Sequence, residues 1–105
     1  MPVLLVLTNC PDRATAERLA GTLVGSGLAA CVNLLAPCTS IYRWQGKVET
    51  ATEIPLLIKS TAANYPALEQ SIRQHHPYEL PEIVAMPVER GLPEYLDWVG
   101  ESCKQ

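Results

Sequence analysis

The sequence predicts a single α/β domain of the α+β kind: a βαββαβ order with a long β-hairpin in its middle and an extra C-terminal helix. Three observations predict it. Apolar runs of strand length or strand period alternate with segments of helical period. Asp, Gly and Pro stand where one period gives way to the next. The chain has 105 residues, 48% of them hydrophobic, which supports one core and one domain over residues 1–105.

The first strand is Val3 to Leu7, VLLVL, a continuous apolar run of the kind buried on both faces. The loop Thr8-Asn9-Cys10-Pro11-Asp12 follows, with Asp12 placed to cap a helix. That helix runs to about Val24 and carries Ala16, Leu19, Ala20, Leu23 and Val24 on one face. Gly25-Ser26-Gly27 stops it, since glycine accepts the left-handed cap conformation. A second strand starts near Leu28 and reads LAACVNLLA. Pro37 cannot donate to a ladder, so a bend or bulge is expected there, with pairing resumed from Thr39 to Trp44. Gln45-Gly46 reads as a hairpin turn.

The third strand returns from Lys47 to Lys59. Val48, Thr50, Thr52, Ile54, Leu56 and Ile58 share one face, and Glu49, Glu53 and Lys59 the other. Pro55 within it marks an edge, a bulge or a change of register. The second helix covers roughly Asn64 to His75, with Leu68 and Ile72 facing inward, and Pro77 ends it. The loop HPYELPE leads to a fourth strand, Ile83 to Val88. Gly91 and Pro93 open the last helix, whose inner face is Tyr95, Leu96 and Val99. This order is the ferredoxin-like split βαβ pattern. A hairpin that outgrows so small a domain leaves unpaired edge groups, and such edges invite a second chain. Self-association is therefore expected.

Lys and Arg number 8 against 11 Asp and Glu, a formal charge of -3. That balance argues against nucleic acid and offers no polybasic anchor for an anionic membrane. VLLVL is far too short to span a bilayer. No cationic segment precedes it and no cleavage-like site follows, so no signal peptide is read and the cytoplasm is the default. Cys10, Cys31, Cys38 and Cys103 form no C-x-x-C pair and are expected to be free thiols in a reducing compartment.

The segments ERLAGTLVGSGLAACVNLL, SIYRWQGKVET, EIPLLIKS and HHPYELPEIVAMPVERGLPEYLDWV together resemble the CutA family, from Leu5 to Val99. The resemblance implies a ferredoxin-like fold assembled as a tight homotrimer, similar in architecture to PII signalling proteins. It also implies a link to tolerance of copper and other divalent cations, and the chain is not expected to be an enzyme. Some members carry cysteine at the end of strand one, where this sequence has Thr8; here Cys10 lies two residues later.

The candidate metal ligands are His75, His76 and Cys10. Imidazole suits copper and other borderline ions, and both rings converge only if the helix unwinds at Pro77. Further ligands must come from Glu79, Glu82 or another subunit. The competing reading is a histidine favoured by the helix C-terminal dipole, and the resemblance favours metal. Cys10, just before a helix N-terminus, reads either as a thiol activated by that terminus or as an ordinary exposed loop cysteine. Cys31, in an apolar strand, reads as inert core.

Tyr42 and Trp44 share a face, as a ligand platform or as an intersubunit anchor. Glu53 and Lys59, with Glu49, read as the lining of a charged intersubunit cleft or as solvated surface. Tyr78, Glu79 and Glu82 lie in a loop stiffened by Pro77 and Pro81, which reads as a preorganised site, with Tyr78 and Glu79 completing the candidate cleft, or as a plain connection to the fourth strand. Such a cleft would take a small anion or a partner protein, with Trp44, Lys59 and Tyr78 at its rim. No G-x-S-x-G, P-loop or G-x-G-x-x-G is present. A Cys10–His76–Glu79 triad can be drawn, but sequence alone gives it no convergence.

Overall fold

A computed structural model describes residues 2–103. Its elements are β1 (Val3–Cys10), α1 (Arg13–Gly25), β2 (Cys31–Leu34), β3 (Cys38–Trp44), β4 (Lys47–Thr61), α2 (Tyr65–His75), β5 (Val84–Pro87) and α3 (Pro93–Ser102). The sheet order is β2-β4-β1-β5, with β3 also paired to β4, and every pairing is antiparallel. This is the ferredoxin-like order with one extra helix. β4, at 15 residues, is the spine: β1 lies along one side of it and β2 then β3 along the other.

Alternation along β4 explains the core. Ile54, Leu56 and Ile58 are buried against Val6 and Cys10 of β1, Leu19 and Leu23 of α1, and Leu68 and Ile72 of α2. Side chains at strand period two meet helical side chains at three- and four-residue spacing, so one sheet face and two helix stripes close on each other. Val99 of α3 is buried outside that cluster, where α3 packs on β1 and β4. Toward the hairpin the same alternation of β4 continues with nothing above it. Val48, Thr50 and Thr52 are exposed, so the β3–β4 ribbon projects from the body of the domain. The chain is accordingly elongated, 44 × 25 × 23 Å.

The local signals act as their chemistry requires. Asp12 caps α1, its Oδ1 accepting from Thr15 N–H at 2.8 Å. Gly27, at φ 78°, follows the end of α1, and Asn64 Nδ2 holds its carbonyl at 3.1 Å. Gln45 at φ 50° and Gly46 at φ 82° form the left-handed pair that a two-residue hairpin turn demands. Leu34 faces Leu56 while Cys38 faces Glu53. Three residues, Leu35, Ala36 and Pro37, therefore oppose two, Ile54 and Pro55, in a bulge. Pro55 sits where β4 changes partner, and Leu35 N–H donates to its carbonyl at 2.9 Å. It is not an edge residue, because Asn9 of β1 faces it from the other side.

Several sequence expectations need correction. β1 does not stop at Leu7: β4 extends the ladder through Thr8 and Asn9 to Cys10, which faces Ile54. Cys10 is thus a strand residue with 0% exposure, not a loop cysteine. β4 runs on to Thr61, β2 begins only at Cys31, and β5 is shorter than expected at Val84–Pro87. Val24 and Tyr95 are exposed, because α1 and α3 each bury a narrower stripe than their apolar spacing offers. Cys31 is half-buried rather than core, since β2 borders the sheet.

Candidate functional site

A groove of about 970 Å³ lies at the root of the ribbon. Tyr42 and Trp44 of β3 form one wall. The loop from Pro77 to Glu82 forms the other. Asn9, next to last in β1, and Glu53 of β4 lie between them. The volume falls in the range of small-molecule sites.

Glu53 is the unusual member. It is only 8% exposed, although it is a carboxylate. Its Oε2 accepts the Tyr78 hydroxyl at 3.0 Å. Burial, reinforced by that bond and by the Glu53 charge, pushes the Tyr78 phenol up to about 12. Asn9 Nδ2 donates to Glu82 Oε1 at 3.0 Å, tying the far end of the loop to β1. His76 ties the near end. Tyr78 N–H donates to His76 Nδ1 at 3.1 Å, so Nε2 carries the ring proton and donates to the Asn9 carbonyl at 2.6 Å. The His76 and Tyr78 rings pack with centroids 4.7 Å apart. The loop is preorganised by these bonds and by Pro77 and Pro81, which lower its entropy.

The sequence-predicted residues divide by place. Tyr42, Trp44, Glu53, Tyr78 and Glu79 come together around the groove. Lys59 does not. It lies six residues farther along β4, about 20 Å at strand rise. There its Nζ donates to Asn33 Oδ1 and approaches Cys31 Sγ at 3.9 Å. Within one chain, Lys59 therefore does not reach the rim of the groove.

His75 ends α2 in an exposed position with Nδ1 2.8 Å from the Ser71 carbonyl, leaving Nε2 open. His76 has both ring nitrogens engaged, so it is a brace as it stands. Cys10 is not activated by the α1 N-terminus. Burial, with the Asp12 and Glu53 charges adding to it, pushes its thiol up to about 11. Among the described residues, no three His, Cys, Asp or Glu side chains stand close enough to hold one metal ion.

The model of the family described as "CutA1 divalent ion tolerance protein" matches residues 4–102 of this chain. The chain belongs to this family. The divalent-cation tolerance protein CutA of Yersinia pestis (strain Pestoides F) is 46% identical over 99 residues, covering 94% of this chain and 83% of its own length. The solved divalent cation tolerance protein (Cut A1) of Thermus thermophilus superposes with a TM-score of 0.95. It is 44% identical, with 97% of this chain and 99% of that chain covered. The Archaeoglobus fulgidus CutA structure, whose name calls that protein periplasmic, gives 0.94 at 36% identity, with 97% and 99% covered. A longer mouse relative, Protein CutA, is 45% identical over 93 residues, 89% of this chain, which spans about half (52%) of it. The family is named for divalent-ion tolerance. No described helix is long and apolar enough to cross a membrane.

Sequence reasoning missed Asn9, whose groove position depends on partners 67 and 73 residues away. It also read Glu82 as a spare ligand and as a member of the stiff loop, without its bond to Asn9 that anchors that loop.

Proposed function

We propose that the chain serves divalent-cation tolerance as a homotrimer, with its groove built into a cleft shared between copies. The observation that carries this reading is the projecting ribbon. Ile41 is 71% exposed and Val48 67%, on strands whose backbone groups have no neighbour beyond β3. Val84 and Met86 are also exposed on β5, at the opposite edge of the sheet. Apolar side chains on two sheet edges favour burial against further copies.

Copper or a similar divalent ion is the cargo in this reading. His75 offers the open ring nitrogen. His76 and Cys10 join it only if the ring gives up its two bonds and the thiol its burial. Because no complete ligand set converges among the described residues of one chain, the rest comes from another subunit in this reading. Free cysteines support a reducing, cytoplasmic setting, although the archaeal relative's name points to the periplasm. No residue is given a catalytic role.

The test is sedimentation velocity combined with equilibrium dialysis against Cu(II) and Zn(II), on the native protein and on His75→Ala. The expected result is a particle three times 11.5 kDa that retains ion and loses it in the variant. A folded monomer refutes the assembly, and unchanged retention by His75→Ala refutes the ligand.

A second reading is favoured by the groove itself: an interaction module that takes a small ligand there. Its size, its rigid loop and its buried carboxylate are those of a preformed site.

A further inference from the structure

We draw no further inference here: the strongest candidate, the exposed apolar stripe of Leu92, Tyr95 and Trp98 along α3, carries nothing because nothing in the structure shows what covers it.

Discussion

Replacing Tyr78 by Phe removes a single oxygen, and its effect can be worked from the pair it belongs to. The Tyr78 hydroxyl is 3.0 Å from Glu53 Oε2, and Glu53 is 8% exposed. A hydrogen bond to a charged acceptor contributes about 1.5–3 kcal/mol, and its loss leaves a buried carboxylate oxygen without a donor. The groove is open, so water reaches part of that oxygen and moves the expectation to the lower end, about 1.5 kcal/mol. Glu53→Gln relieves the buried charge, so its own effect is smaller than the pair's strength suggests. The informative quantity is therefore the coupling in a double-mutant cycle of Tyr78→Phe and Glu53→Gln. It should be about 1 kcal/mol or more, measured by urea unfolding at one fixed protein concentration. A coupling below about 0.3 kcal/mol, within the additivity of independent sites, would refute the claim that this bond holds the loop to the ribbon.

Four further outcomes follow from the structure. Tyr78 and Cys10 both have folded values raised, to about 12 and about 11, above ordinary values of 10.0 and 9.0. The folded state holds those protons more tightly, so their contribution is complete below about pH 9 and is lost as pH rises through about 11 to 12; stability rising across that window in alkaline melts would contradict it. The buried Cys10 thiol should also react with a thiol reagent at neutral pH far more slowly than half-buried Cys38, and equal rates would show that β1 frays. Thr8 is fully buried and its hydroxyl has no partner among the described residues. Thr8→Val keeps the shape and should stabilise by about 1 kcal/mol in denaturant unfolding, whereas a loss would mean the hydroxyl is satisfied. Gly46, at φ 82°, closes the hairpin. Gly46→Ala should cost about 1 kcal/mol, and a neutral effect would mean the turn is not left-handed.

Much of the fold was legible because its signals are local. Asp12 as a cap, Gln45-Gly46 as the turn and Pro37 as a break each depend on residues within a few positions, and each acts as expected. The alternation of β4 was also legible, since parity is a property of the strand itself. What lies over each end of that strand is not. Glu53 and Lys59 have the same parity and read alike, yet one is buried in the groove and the other pairs with Asn33. His76 looked like a ligand because its bonding partner Asn9 is 67 residues away and bonds through its backbone carbonyl, which every residue has. Cys10 looked like a loop residue because Pro11 follows it. The long partner strand, not local propensity, carries β1 that far.

The one-residue excess at Leu35–Pro37 has a consequence for which way the ribbon looks. Residues opposite one another on paired strands project to the same side of a sheet. Odd-numbered residues of β2 face odd-numbered residues of β4, but in β3 it is the even-numbered Ser40, Tyr42 and Trp44 that stand on the side of Glu53. The turn at Gln45-Gly46 fixes the pairing of β3 with β4, and the kink absorbs the change of parity before β2. Deleting one residue there would leave Tyr42 and Trp44 on the side of Glu53 and remove only the bend by which the ribbon departs from the line of β2.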